Sequence, residues 1–135
     1  MKTVYACFTT DVIHEGHINI INEAKKYGEL VVGVLTDEAM VSFDRFPTIS
    51  FEERIELVKN TPGVDRVIKQ DKVMYDDVIA QIHPDYVIHG DNWLEGPTRA
   101  IRNNVEKLLS TYGGQIIDVP YTYNENVKHV DDKIK

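Results

Sequence analysis

The stretch FTTDVIHEGHINII, residues 8–21, sets His14 and His17 three positions apart with Gly16 between them, at the junction of two apolar runs. Ahead of it, TVYACF is short, β-branched and aromatic, as a strand requires. Behind it, Ile18, Ile21 and Ala24 fall at helical spacing and Gly28 stops the pattern. A strand that passes through a polar turn into a helix begins a strand–helix–strand unit.

The remaining sequence keeps that rhythm. ELVVGVLT is a second, nearly continuous apolar run, of the kind that suits a strand covered on both faces. SFEERIELVKN opens with Ser50 and carries Glu53 three positions later, a capping box. DRVIKQ, DYVIHG and QIIDVP supply three further strands. Between them MYDDVIAQIHP forms a short helix closed by Pro84. GPTRAIRNNVEKLLSTYGG forms a longer one, with Pro97 at its start, Gly113 past its end and a stripe of Ile101, Val105, Leu108 and Tyr112. NENVKHVDDKIK closes the chain as a weaker helix. Strands alternating with helices predict one α/β domain over residues 1–135, with a five-stranded parallel sheet and helices on both faces. Ligands bind beyond the carboxyl ends of such strands. The histidine turn, the HGDNW stretch after strand four and the exit of strand five at Pro120–Thr122 all fall at that edge.

Composition narrows the function. A net charge of −7 argues against a non-specific nucleic-acid binder but leaves room for a small anionic ligand at a local positive site. The single cysteine, Cys7, lies inside an apolar run; it predicts a reducing compartment, no disulfide framework and a buried small hydrophobe. The apolar run at the N-terminus is too short for a signal peptide, and no window approaches the length of a membrane span, so the expectation is a cytoplasmic protein.

Three readings of His14 and His17 compete. Zinc would need a third and fourth ligand, for which Asp11 or Glu15 could serve. Two loop histidines without chemistry are the bland alternative. The third is phosphate: Gly16 lets the backbone approach a ligand, a helix start offers free N–H groups and the positive end of its dipole, and two imidazoles can donate to phosphate oxygens. HEGH lacks the second glycine of a dinucleotide fingerprint and the Gly-Lys-Ser/Thr ending of a Walker loop.

TTDVIHEGHINIINEAKK resembles the first signature of the cytidylyltransferases, within the HxGH nucleotidyltransferase superfamily. The resemblance continues through LTDE, SFEERIELVKNTPGVDRVI and PDYVIHGDNW, and so covers nearly the whole chain. Glycerol-3-phosphate cytidylyltransferase and the choline- and ethanolamine-phosphate enzymes belong to this family. The nearest likeness is to its cytidylyltransferase domains joined to phosphoenolpyruvate mutase in phosphonate pathways, which also carry a long helix after the tryptophan and a PYT after the last strand.

That resemblance implies a Rossmann-like nucleotidyltransferase fold and transfer of CMP from CTP to a small phosphonate or phosphoalcohol, with pyrophosphate leaving. It also implies a Mg²⁺ bound mainly through the nucleotide phosphates and a homodimer. His14 and His17 match the two motif histidines; Lys25 and Arg54 match a lysine of the first helix and the arginine of the ER helix. Thr9, Thr10, Asp11, Gly16, His89, Gly90, Asp91, Asn92, Trp93 and Thr122 fall where the nucleotide is held. Asp11 and Asp65 fall where the acceptor is expected, and Arg45 lies in a loop where relatives place a lysine. Each has a bland rival: Lys25 facing solvent, Arg54 in a surface ion pair, Asp65 opening a strand, Trp93 in the core, and Phe43, Phe46 and Phe51 as core or interface. His83 reads as a solvent-facing turn residue.

Two departures stand out. Asp91 is followed by Asn92, where relatives have a second aspartate. After strand five the chain reads YTYNENVK, where relatives carry Arg-Thr-Glu-Gly-Ile-Ser or a near variant with tyrosine first. The alternatives are therefore an adenylyltransferase of the same superfamily and a nucleotide-binding module that has lost catalysis.

Overall fold

A computed structural model of the chain describes residues 2–9, 12–42, 46–94 and 96–120, without the side chains of Asn92 and Pro97. Along the chain these form β1 (Thr3–Phe8), α1 (Glu15–Ala24), β2 (Glu29–Leu35), α2 (Asp37–Ser42), α3 (Phe51–Lys59), β3 (Arg66–Gln70), α4 (Asp76–Ile82), β4 (Tyr86–Gly90), α5 (Arg99–Ser110) and β5 (Gln115–Val119), with 3-10 turns at Asp91–Trp93 and Gly96–Thr98. The strands make one parallel sheet in the order β3-β2-β1-β4-β5, the α/β architecture expected from the sequence.

Strand order reverses between β1 and β4, and the pairing there is brief. β1 and β2 register over six positions, from Thr3↔Glu29 to Phe8↔Val34. β1 and β4 register only at Val4↔Tyr86 and Tyr5↔Val87, although both strands run three residues further. The pairing stops short of their carboxyl ends at this switch point, and it is in the crevice outside such a point that open α/β sheets take ligands.

Alternation along the strands divides the core in two. Val4, Ala6 and Phe8 face one side with Val32, Val34 and Ile88, and meet Ile21 and Ala24 of α1 and Val58 of α3. Tyr5, Val31 and Val87 face the other side and meet Val78 and Ile79 of α4 and Val105 and Leu109 of α5, together with Tyr75 and Trp93. With both faces covered, every residue of β2 after Glu29 is buried, which is why ELVVGVLT reads as a continuous apolar run. On the second face the Tyr5 hydroxyl donates to Gln70 Oε1 at 2.5 Å, and Gln70 Nε2 donates to the Lys72 carbonyl at 2.8 Å. This fully buried pair spans the width of β2 and passes over Gly33, which has no side chain to block it.

The capping box of α3 forms as the sequence predicts, with Ser50 Oγ accepting from Glu53 N–H at 3.1 Å and Glu53 Oε1 from Ser50 N–H at 3.2 Å. Three details differ from the expectation. The six-residue α2, started by Thr36 Oγ1 accepting from Ala39 N–H, was too short to give a periodic signal. α5 begins at Arg99 after a 3-10 turn, and its buried stripe includes Leu109. Cys7 is half-buried rather than buried, between the second core and Leu35, Ala39 and Met40 of a third cluster. Its apolar surroundings push its thiol up to about 12. The expected closing helix lies outside the described residues.

Candidate active site

α1 starts at the carboxyl edge of the sheet, and the two histidines build its start. His14 is the N-cap, with extended backbone (φ −119°, ψ −179°). Its Nδ1 accepts from Gly16 N–H at 3.0 Å, while His14 N–H donates to His17 Nδ1 at 3.1 Å. This is a capping box in which imidazoles take the places of the usual serine and glutamate. It fixes the chemistry of both rings. A ring nitrogen that accepts from a backbone N–H carries no proton, so each neutral imidazole holds its proton on Nε2. The rings lie 4.0 Å apart between centroids, and the Phe8 ring at the end of β1 packs 4.7 Å from that of His17. Both rings thus keep their proton on Nε2 at a helix N-terminus, where backbone N–H groups and the helix dipole favour an anion.

Across the crevice, β4 ends at Gly90 and passes into the Asp91–Trp93 turn, closed by Leu94 N–H donating to the Asp91 carbonyl at 3.0 Å. His89 Nδ1 lies 2.7 Å from the Gly90 carbonyl, so this nitrogen carries a proton and donates. The His89 ring stacks on Trp93, with centroids 4.0 Å apart and planes 8° from parallel. Trp93 Nε1 donates to Asp118 Oδ1 of β5 at 2.7 Å. Arg102 of α5 holds the same carboxylate, with Nη2 2.7 Å from Oδ2 and Nε 3.2 Å from Oδ1. The Arg102 hydrogen bond, reinforced by that from Trp93, holds the Asp118 carboxyl below its ordinary range.

The expected site residues divide by position. His14, His17, Gly16 and Thr9 stand on one side of the crevice, and His89, Gly90 and Asp91 on the other. Thr10, Asp11, Arg45 and Thr122 lie outside the described residues, as does the Asn92 side chain. Trp93 belongs to the turn but is 1 % exposed, which corrects its expected place beside the base: the indole is core and leaves no face for one. Arg54 stands at the correct edge but is fully buried. Its Nη1 donates to the Leu35 carbonyl at 2.6 Å, its Nη2 to Asp37, and its guanidinium lies over the Phe51 ring. It anchors the exit of β2 to α3 rather than contacting a ligand directly.

Lys25 and Asp65 are a second correction. Lys25 caps the far end of α1, about 12 Å along the helix from His17 and about 16 Å from His14. Asp65 sits just before β3; its carboxylate accepts from Lys25 Nζ and from Leu30 N–H at 2.8 Å. The two residues pair with each other at the amino edge of the sheet, away from the crevice. The Lys25 hydrogen bond, helped by the Leu30 N–H, lowers the Asp65 carboxyl below its ordinary range. A lowered folded value gives stability that is full above the unfolded carboxylate pKa of about 3.9 and lost as pH falls through the folded value. Asp65→Asn is therefore expected to melt lower than the parent at pH 7, with the gap closing as melts are taken below the carboxylate range; a gap independent of pH would reject this account.

Beside His14 an open groove of about 550 Å³ runs between α1 and α3, lined mainly by Ile13, Ile18, Ile49, Leu57 and Pro62 with Glu53 at its rim. Among the described residues no cluster of three or more His, Cys, Asp or Glu side chains could hold a metal ion, and no helix is long and apolar enough to cross a membrane. The residues that sequence reasoning missed are Asp118 and Arg102. The only trace was an acid inside the apolar strand QIIDVP.

A helix-capped histidine pair facing a glycine turn across the switch point of a parallel sheet defines a nucleotide-handling α/β domain. The chain belongs to the cytidylyltransferase-like family, whose profile matches residues 6–131. The bifunctional protein HldE of Desulfatibacillum aliphaticivorans is 33% identical over 84% of this chain and 22% of its own length. An FAD synthase of Methanobrevibacter smithii is 27% identical over 100% of this chain and 96% of its own. An ethanolamine-phosphate cytidylyltransferase of Arabidopsis thaliana is 35% identical over 64% of this chain and 21% of its own. The chain thus spans only about a fifth of two of these proteins. A crystal structure of a lipopolysaccharide core biosynthesis protein from Thermoplasma volcanium shares the fold, with a TM-score of 0.74, 24% identity and coverage of 93% of this chain and 99% of that one.

Proposed function

We propose that this domain transfers CMP from CTP to a small phosphonate or phosphoalcohol. An oxygen of the acceptor's phosphonate or phosphate forms a new bond to the α-phosphorus of CTP. The bond from that phosphorus to the bridging oxygen breaks, and pyrophosphate leaves with the electron pair. No covalent enzyme intermediate is needed; catalysis is positioning and charge stabilisation.

The observation that carries the reading is the paired Nε2–H donors of His14 and His17 at the start of α1. Held by their Nδ1 atoms, they need no reorientation when negative charge builds on the phosphoryl oxygens. Thr9, Thr10, Asp11 and Gly16 would line the triphosphate side of the crevice, and His89, Gly90, Asp91 and Asn92 the base side, with Thr122 following β5. Mg²⁺ would arrive on the nucleotide phosphates and supply further charge neutralisation. The phosphonate acceptor and a homodimer are what the sequence's resemblance to cytidylyltransferase domains joined to phosphoenolpyruvate mutase implies.

A second reading has a specific observation behind it. The FAD synthase relative is similar over nearly its whole length, which favours ATP as the nucleotide. Calorimetry with CTP and ATP, followed by pyrophosphate release with a panel of phosphonates and phosphoalcohols, decides between them. CTP is expected to bind at least tenfold more tightly, a difference of about 1.4 kcal/mol. Tight ATP binding without CTP binding would reverse the choice of nucleotide, and CTP binding with no turnover on any acceptor would leave a binding module.

A further inference from the structure

We propose that Asp118 and Arg102 are positioning residues that set the nucleotide-facing turn Gly90–Asn92 through Trp93. The inference rests on the proposed nucleotide site and adds two residues to it.

A buried tryptophan needs one acceptor for its indole N–H, and a backbone carbonyl suffices. Here the acceptor is a carboxylate, a quarter exposed, that other donors also hold. Asp118 receives three: Trp93 Nε1 at 2.7 Å, Arg102 Nη2 at 2.7 Å and Arg102 Nε at 3.2 Å. Arg102 is fixed in turn by Glu106, four residues along α5, at 2.9 Å. The β4–β5 register sets His89 opposite Asp118. Guanidinium, carboxylate, indole and imidazole therefore form one connected series from the surface of α5 to the crevice.

The series explains how a short turn is held. Gly90–Trp93 leaves the sheet where β4 has no β1 partner, and Trp93 is its anchor in the second core. The charged fork fixes the rotation of the indole, and the indole fixes the His89 ring stacked on it.

Trp93 is the only tryptophan, so its fluorescence reports this network alone. Asp118→Asn keeps the shape and one acceptor oxygen for the indole but breaks the ion pair. Arg102→Gln removes the fork from the helix side and stands as the second variant should the first fold poorly. Both are expected to raise the KM for the nucleotide about tenfold while kcat stays within about twofold, the pattern of lost ground-state positioning. Both are also expected to shift the Trp93 emission of the ligand-free protein. A lower Tm with unchanged nucleotide KM in both variants would make the network merely structural and overturn the inference. A parent protein that binds neither CTP nor ATP by calorimetry overturns the nucleotide reading and this inference with it, whereas normal binding in parent and variants alike overturns the inference alone.

Discussion

Replacing His17 by asparagine is expected to lower turnover by roughly two to three orders of magnitude while α1 stays capped. The expectation follows from the division of labour within the ring. On the proposed reading Nδ1, which accepts the His14 N–H, serves the helix, and Nε2, which carries the proton, serves the chemistry. An asparagine oxygen lies near the position of Nδ1 and can take over the cap, but nothing replaces Nε2–H. Glutamine reaches further and restores a donor near Nε2, so His17→Gln should recover part of the lost rate. Pyrophosphate release, measured beside far-ultraviolet circular dichroism, checks both. An asparagine variant as active as the parent would remove His17 from catalysis, and one that unfolds with a glutamine variant equally inert would leave it only the helix.

The second large effect concerns the fold. A methyl group added at Gly33 would stand 1.7 Å from the Tyr5 hydroxyl oxygen, 2.7 Å from the ring carbon that bears it and 3.2 Å from Gln70 Oε1. Gly33 is paired on both sides, with Cys7 of β1 and Ile68 of β3, so its backbone has nowhere to move. Tyr5 is a rigid, fully buried ring bonded to Gln70, and it cannot swing aside as a flexible side chain would. Gly33→Ala is expected to cost ~3 kcal/mol, the upper range for overpacking a core, and to lower Tm on the order of 10 °C. The sign of the strain is testable by coupling: in a Tyr5→Phe background the nearest clashing atom is gone, and the alanine should cost markedly less. Equal costs in the two backgrounds would place the strain elsewhere.

The sheet, its covering helices and the placing of the histidine turn at the carboxyl edge were legible because they rest on periodicity and on caps, which are local. Ser50 and Glu53 announce α3 wherever it packs. What stayed hidden depends on partners distant in sequence. Lys25 could not be told from a ligand contact until Asp65, forty residues on, was seen to hold it. Arg54 is a buried anchor only because β2 ends beside it at Leu35. Trp93 reads equally as a nucleotide contact or a core residue until its bond to Asp118 and its place in the second core decide for the core. Asp118 itself gave no signal beyond an acid in an apolar strand, since its meaning lies in Arg102, sixteen positions earlier.

The histidine cap has a consequence for how such a domain decays. Under the proposed function His14 and His17 answer two demands at once: the start of a helix, which they cap, and the handling of a phosphate. A lineage released from turnover would still be selected to begin α1, so the presence of both rings is weak testimony of activity. Side chains that satisfy the helix alone, such as asparagine or serine, are the replacements that such drift would fix first. Among descendants of this fold, the exchange of a ring for a short acceptor at either position therefore marks a retired enzyme more clearly than the loss of the glycine between them.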